Sequence, residues 1–324
     1  MIRQSRLVAI VCGLAFATLG ASVQAQEQVT YLLPAPIALP AFSPFVIAQH
    51  KGYYKAAGVD ISFKVGQGGA DVAVQVGAGN ADVGGGIGDT SIIVRPNGVP
   101  VKSVAVLGGG ALTQIVARED SGIKSPADLK GKTIAVMAYQ DTTYYSLLGT
   151  LAHFGMNKGD VNAQAVGPGG VVQLVVSGQA QAMAGVPEWG VAIGGAGIKT
   201  LWWPTREFFP GMAQAIIASD ATIAKRPQAI RGVVQATLKA LKEVMDNPQA
   251  ATKDYIAAMP QHAERAAQME QTLATYAKLV YAGQKKLGAM DPDQLTRLQD
   301  FYVKEGIVRR ATPIVELYTN QFVD

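Results

Sequence analysis

Two stretches of the chain, about 100 residues apart, carry the same order of strand, glycine turn and apolar helix. The first contains VGQGG at 65–69 and the second contains VGPGG at 166–170. Each stretch continues through an apolar segment with one glutamine to further glycines and a carboxylate, at Asp89 and at Glu188. A repeat of this length is too long for a solenoid and is close to the size of a domain. It predicts two lobes of like architecture in one chain.

Strand-like and helix-like patterns alternate from residue 29 to about residue 218. This alternation predicts an α/β fold with parallel sheets covered by helices. After residue 227 the pattern changes to helices alone, which predicts a helical C-terminal region packed on the lobes. The predicted strands are 29–33, 60–65, 101–107, 113–117, 133–137, 161–166, 199–203 and 213–218, and the C-terminal helices are 227–245, 248–259, 262–283 and 292–304.

The N-terminus has the pattern of a secretory signal peptide. Arg3 and Arg6 precede an apolar run at 7–19, and small residues follow up to Ala25, where we expect cleavage. The run is shorter than the roughly 20 residues of a membrane span. Cys12, the single cysteine, lies within this run, so the exported chain would carry no thiol. The pattern predicts a periplasmic protein, with an uncleaved anchor as the alternative.

The charge balance and the histidine positions exclude several functional classes. The chain has 28 Lys and Arg residues against 24 Asp and Glu, far from the strong basic patch of a nucleic-acid binder. His50, His153 and His262 lie in separate helical segments, so their spacing does not suggest a metal site. Neither a hydrolase triad nor a P-loop lysine is present. We therefore expect no catalytic residue, cofactor, metal or nucleic-acid partner.

The predicted lobes place their loops around a shared cleft. In open α/β sheets, ligands bind beyond the carboxyl ends of the strands, where helix N-termini offer free N–H groups. Glycine in such loops lets the backbone approach a ligand closely. The loops expected to line the cleft are 34–43, 66–70 and 86–91 in the first lobe, and 138–143, 167–171 and 185–189 in the second.

The cleft loops carry residues suited to a small organic ligand. Aromatic rings can stack on a flat molecule, and amide, hydroxyl and carboxylate groups can hydrogen-bond to it. We also expect Tyr144 to face the cleft and Tyr145 to pack within its lobe. Helix capping is an equally open role for the loop Asp and Thr residues. The predicted ligand-binding residues are Phe42, Gln67, Gly68, Asp89, Thr90, Ser91, Tyr139, Gln140, Thr142, Thr143, Gly169, Gly170, Glu188 and Trp189.

Asp89 and Glu188 occupy equivalent positions in the two halves of the repeat. If both face the cleft, they could hold an amine or amidine, or accept hydrogen bonds from a heterocycle. An acid–base pair is the alternative role. The spacing alone does not decide between these roles.

Several short elements occur in a familiar order. They are KGYY at 51–54, AGVDI at 57–61, GNADV at 79–83 and DLKGK at 128–132. Their combination resembles the NMT1/THI5-like periplasmic binding proteins of ABC transporters, whose ligands include nitrate, sulfonates, taurine and thiamine-precursor pyrimidines. The resemblance covers about 29–245.

The resemblance implies a type II periplasmic-binding-protein fold. After a signal peptide at 1–25, the first lobe would comprise 26–111 and 213–324, and the second lobe 112–212. Two hinge strands, near 113–117 and 213–218, would join the lobes and permit closure. The implied partners are a small-molecule ligand and an ABC permease in the inner membrane, with the protein itself a monomer.

The ligand class and the use of the captured ligand stay open at this stage. The chain has PEW at 187–189 where the group more often has an acidic residue followed by proline, and no arginine cluster lies in the predicted loops. Nitrate, sulfonate, pyrimidine and aromatic ligands are all compatible with the pattern. An enzyme acting on a pyrimidine-like substrate and a ligand-sensing accessory of a membrane receptor are the alternative functions.

Overall fold

The computed structural model describes residues 26–324. The predicted signal peptide, with Cys12, lies outside the described residues. Within 26–324, no helix is long and apolar enough to cross a membrane.

Two five-stranded sheets form the framework. The first sheet has the order β2-β1-β3-β10-β4, in which β10 runs antiparallel to both of its neighbours and β1 is parallel to β2 and β3. The sequence pattern predicted a parallel sheet, but the sheet is mixed, because β10 enters it from a later part of the chain and runs antiparallel. Its strands are β1 (Glu27–Leu33), β2 (Val59–Val65), β3 (Val83–Ile87), β4 (Val101–Val106) and β10 (Gln214–Ser219).

The second sheet repeats this topology. Its order is β7-β6-β8-β5-β9, with β6 parallel to β7 and β8, and with β5 antiparallel to β8 and β9. Strand β5 thus takes the place that β10 has in the first sheet. Its strands are β5 (Gln114–Arg118), β6 (Thr133–Val136), β7 (Asn162–Ala165), β8 (Ala182–Gly185) and β9 (Thr200–Pro204).

The helices cover these sheets and form the C-terminal region. The predicted C-terminal helix 262–283 is divided into a 3-10 helix (Pro260–Arg265), the α-helix Ala266–Tyr276 and a π-helical turn (Ala277–Tyr281). The α-helices are α1 (Ser43–His50), α2 (Tyr53–Ala56), α3 (Gly69–Gly77), α4 (Thr90–Val94), α5 (Thr142–His153), α6 (Gly167–Val176), α7 (Pro187–Gly195), α8 (Asp220–Lys225), α9 (Pro227–Asp246), α10 (Pro248–Ala258), α11 (Ala266–Tyr276), α12 (Pro292–Lys304) and α13 (Ile314–Leu317).

All eight predicted strands are present to within two residues, but β3 and β8 are absent from the prediction. Their sequences, VGGGI and AMAG, consist mostly of glycine and alanine, which disfavour strands. Both strands are nonetheless buried inside their sheets. At Gly84 a side chain would overlap Val72 and Val76 of α3, so close packing of this helix requires glycine.

The largest hydrophobic core joins the first sheet to the C-terminal helices. It includes side chains of β1, α1 and β4 together with buried residues of α9, α11 and α12. Smaller cores cover the two faces of the second sheet. Helix α11 also packs against α7 of the second sheet. The C-terminal region therefore contacts both halves of the molecule.

Candidate ligand-binding site between the two sheets

One cavity of about 410 Å³ lies where the two sheets face each other. From the first sheet it takes residues that follow β1, β2 and β3, and from the second it takes residues that follow β6 and β8. The chain segment between β4 and β5 adds Leu112 and Thr113, and helix α11 adds Tyr276. The cavity thus collects strand ends from both sheets, as parallel βα units dictate.

Ten of the fourteen predicted ligand-binding residues line this cavity. Both carboxylates of the repeat, Asp89 and Glu188, are among them. Lining a cavity is not ligand contact, so their binding role stays a prediction. The ten residues are Phe42, Gln67, Gly68, Asp89, Thr90, Gln140, Thr142, Thr143, Glu188 and Trp189.

Four predicted residues do not line the cavity. The Ser91 side chain is fully buried behind it, and the Tyr139 side chain is 54% exposed, with its hydroxyl donating to the Ala163 carbonyl at 3.0 Å. Gly169 and Gly170 lie in the first turn of α6, where Gly169 is exposed. The glycine turn of the first lobe therefore borders the cavity, whereas its counterpart in the second lobe does not.

The two adjacent tyrosines of α5 point in directions opposite to those expected from the sequence. Tyr145 lines the cavity and packs edge-on against Tyr302, with 5.5 Å between ring centroids. Tyr144 packs on the core of the second sheet and against Tyr139. The expectation for these two residues was wrong, because Tyr302 of the C-terminal region lies next to Tyr145.

The capping alternative is correct for Asp141 but not for Asp89. Asp141 caps α5 by accepting a hydrogen bond from the Thr143 N–H at 2.8 Å. The hydroxyl oxygens of Thr90 and Thr143 accept backbone N–H groups from the ends of β3 and β6. Asp89 stands at the N-cap position of α4, but its side chain makes no capping bond. Its carboxyl group is therefore available for another role.

Asp89 is held by a residue from the opposite end of the chain. The Tyr302 hydroxyl of α12 donates to Asp89 Oδ2 at 2.5 Å, while Oδ1 is buried without a hydrogen-bond partner. Burial raises the pKa of Asp89 to about 6, against the opposing effect of the Tyr302 hydrogen bond. The nearby charge of Asp141 raises this pKa further.

Glu188, the second residue of α7, has an equivalent arrangement. The Tyr276 hydroxyl of α11 donates to its Oε2 atom. Burial raises the pKa of Glu188 to about 7, and the Tyr276 hydrogen bond opposes this shift. Each repeat-related carboxyl group is thus fixed by one tyrosine of the C-terminal helices.

Several cavity residues had no place in the sequence-based site, and four of them carry tyrosine or glutamine side chains. Tyr31, Gln214 and Tyr276 line the cavity together with Tyr145. The Tyr31 hydroxyl is fully buried and has no hydrogen-bond partner. The only available indication was that Tyr31 alternates with Val29 and Leu33 along a buried strand, where a tyrosine hydroxyl needs a partner.

The described residues offer little for a metal ion. Across 26–324, no group of three or more His, Cys, Asp or Glu residues is arranged to hold one. The cavity instead combines aromatic rings, carboxyl groups and amide or hydroxyl groups, a combination typical of small-molecule sites.

A curated protein is similar to this chain along most of its length. The riboflavin-binding protein RibY of Chloroflexus aurantiacus is 26% identical over 290 residues, which cover 87% of this chain and 82% of that protein.

Solved structures share the fold at low sequence identity. The aliphatic sulphonate-binding protein SsuA of Escherichia coli has a TM-score of 0.72 at 17% identity, with 92% of this chain and 93% of that chain covered. The nitrate-binding protein NrtA of Synechocystis PCC 6803 has a TM-score of 0.71 at 13% identity, with coverage of 92% and 87%. The desulfurization enzyme DszB has a TM-score of 0.58 at 16% identity, with coverage of 92% and 98%.

These likenesses establish the periplasmic-binding-protein fold, as expected from the sequence. A family model described as NMT1/THI5 like matches residues 39–251, about two thirds of the chain. The chain belongs to the NMT1/THI5-like family.

Proposed function

We propose that this protein is an exported solute-binding protein, which captures a small organic molecule and delivers it to an ABC importer in the inner membrane. The observation that carries the proposal is a cavity of about 410 Å³ lined by residues of both predicted lobes. Its volume is within the range of small-molecule sites. Family membership and the similarity to a protein named as riboflavin-binding support a binding role. The proposed location is the periplasm, after removal of residues 1–25.

The predicted lobes, 26–111 with 213–324 and 112–212, would close around the ligand. Two chain segments cross between the sheets side by side, and the Leu112 N–H donates to the Met212 carbonyl at 3.0 Å. Thr205 and Thr113 also share a buried hydrogen bond, from the Thr205 hydroxyl to the Thr113 carbonyl at 2.7 Å. A pair of short crossovers that lie side by side and run in opposite directions is suited to hinge closure.

Catalysis is the alternative function, because a desulfurization enzyme has a similar fold. Among residues 26–324, the cavity is lined by no cysteine, serine, histidine or lysine. These are the side chains that most often act as nucleophile or base in covalent catalysis. The lining therefore lacks the commonest nucleophiles, and catalysis would have to rely on the acid–base pair of Asp89 and Glu188.

A thermal-shift screen of small organic acids, amines, pyrimidines and aromatic compounds tests capture. A ligand at 100 times its dissociation constant should raise the free energy of unfolding by about 2.7 kcal/mol. Mass spectrometry of the released ligand should recover it unchanged, whereas a converted product would favour the enzyme. Delivery is tested by ligand-dependent ATP hydrolysis of the importer in proteoliposomes. A failure of delivery alone would favour the sensing role.

A further inference from the structure

The charge of the cavity limits which molecules it can hold. Three carboxyl residues, Asp89, Asp141 and Glu188, line it, and no lysine, arginine or histidine of the described chain does so. Tyr302 and Tyr276, which hold Asp89 and Glu188, are neutral donors and do not offset a negative charge. An anionic ligand would therefore meet like charges at short range, whereas a cation would relieve their repulsion.

Unpaired acceptor atoms show what a ligand must supply. Asp89 is 1% exposed, and its Oδ1 atom has no hydrogen-bond partner. Gln214 is 7% exposed, with its side-chain nitrogen donating to the Ala41 carbonyl at 2.9 Å and its Oε1 atom unpaired. Buried polar atoms are normally hydrogen-bonded. Two unpaired acceptors in one cavity call for a ligand with N–H donors, and the unpaired Tyr31 hydroxyl can either donate to that ligand or accept from it.

The remaining walls favour a flat molecule. Phe42, Tyr145 and Trp189 line the cavity from three different helical segments. Aromatic rings stack on planar ligands and also attract cations through their π faces. The carboxyl groups and the rings therefore favour the same kind of ligand.

We propose that the cavity takes a flat organic cation of the aromatic amidinium or protonated nitrogen-heterocycle type, whose N–H groups bridge Asp89 of the first lobe and Glu188 of the second. The inference rests on the proposed function, because it names the ligand class of that same cavity. Riboflavin, sulfonates and nitrate, which appear in the names of similar proteins, carry no positive charge, so the proposal separates this chain from them.

The neighbours of the two carboxyl groups support this assignment. Asp89 faces Tyr302, Tyr145, Asp141 and Thr142, and burial raises its pKa to about 6. Glu188 is surrounded by three tyrosines, and burial raises its pKa to about 7. A bound cation favours the ionised form of both groups. Its binding near pH 6.5 should therefore release protons. The tyrosines around Glu188 are Tyr255, Tyr276 and Tyr281.

Compounds that differ only in charge provide the test. Benzamidinium, benzamide and benzoate share one ring, and the 2-naphthyl series of the same three groups fills more of the cavity. Calorimetry at pH 7.5 should give at least tenfold tighter binding of the amidinium than of the carboxamide, with the carboxylate weakest. Equal affinities, a preference for the carboxylate, or no binding by either amidinium would overturn the proposal.

Variants that each remove one carboxyl charge show which residues cause the preference for amidinium. Asp89→Asn and Glu188→Gln should each reduce the preference for amidinium over carboxamide by about tenfold, whereas Asp128→Asn, a remote capping carboxylate, should leave it unchanged. An unchanged preference in both cavity variants would overturn the assignment. Proton release by the wild-type protein, read from calorimetry in buffers of different ionisation enthalpy, is a second measurement that needs no variant. The absence of proton release on amidinium binding at pH 6.5 would also overturn it.

The experiment separates this proposal from the proposed function. A neutral or anionic compound that binds best and is recovered unchanged would retain solute capture and remove the cation assignment. A screen in which no compound of any charge binds would remove both.

Discussion

At the scale of single residues, the buried Asp89 and the partly buried Glu188 are the two carboxyl groups that the repeat brings to the cavity. Asp89 and Glu188 start helices on opposite sheets, and each accepts a hydrogen bond from a tyrosine hydroxyl. Burial has a larger effect on the pKa of each group than that hydrogen bond, so both values are raised. A charged carboxylate in this setting destabilises the empty protein. The groups that we propose to bind the ligand therefore reduce stability in its absence.

This destabilisation predicts a pH dependence. A carboxyl group with a raised pKa binds more protons in the folded than in the unfolded protein, so the free energy of unfolding falls as pH rises. The window runs from the unfolded values near 4 to about 6 for Asp89 and about 7 for Glu188. Urea unfolding of the ligand-free protein should show this fall between pH 4.5 and 7.5. The Asp89→Asn/Glu188→Gln double variant should show a smaller fall and be at least as stable as wild type at pH 7.5. An identical pH dependence in both proteins would contradict the assignment.

Trp189 is expected to contribute ligand contact more than stability. Its side chain is half-buried and lines the cavity beside Glu188. Trp189→Ala removes a stacking surface worth about 0.5–1.5 kcal/mol beyond its buried area, so affinity should fall at least tenfold. Titration calorimetry measures this, and circular dichroism should show an intact fold. Trp202→Ala is a matched control, because Trp202 packs against Gly190 and does not line the cavity. Equal losses of affinity in both variants would reject the role of Trp189.

The sequence located the carboxyl groups but not their tyrosine partners. Asp89 and Glu188 stood out because the repeat placed them at equivalent positions. Tyr302 is 213 residues from Asp89 in sequence and lies in an amphipathic helix, where a tyrosine looks like any core residue. The orientation of Tyr145 depended on Tyr302 and was unpredictable for the same reason. Contacts between distant segments leave no local pattern to interpret.

At the scale of secondary-structure elements, the strands β3 and β8 show how packing overrides propensity. Glycine and alanine disfavour strands, yet both strands occupy inner positions of their sheets. The absence of side chains at Gly84 lets α3 lie close to β3, with Leu32 on the neighbouring strand also within contact distance. Seven of the eight predicted strands contain β-branched or aromatic residues, and the eighth, β7, is flanked by Val161 and Val166. Strands β3 and β8 required knowledge of the helix above them.

Gly84→Ala should therefore destabilise the protein. The added methyl group would overlap Val72 and lie 2.9 Å from a Val76 methyl, so α3 must shift. Overpacking of this kind costs about 1–3 kcal/mol. Gly194→Ala in α7 is the matched control, because its new methyl group has open space and the helix favours alanine by up to about 1 kcal/mol. Chemical denaturation should show opposite signs for the two variants. Equal stability of Gly84→Ala and wild type would reject the packing argument.

At the scale of the whole molecule, the duplicated topology and the paired crossovers are the features that the proposed closure about a hinge requires. The repeat predicted two like sheets, and their strand orders match position by position. The shared cavity followed from the same pattern, whereas the contact of α11 with α7 did not. Ligand addition should decrease the radius of gyration in small-angle scattering, because closure brings the two sheets closer together. An unchanged radius at saturation, with the ligand bound, would contradict closure.

In the proposed complex, one small molecule is held by both lobes at once. Hydrogen–deuterium exchange with and without a saturating ligand tests it most directly. We predict protection after β3, at 86–94, together with protection after β6 and β8, at 137–145 and 186–190, with one common midpoint in ligand concentration. Protection confined to peptides of a single lobe, at any ligand concentration, would contradict the account.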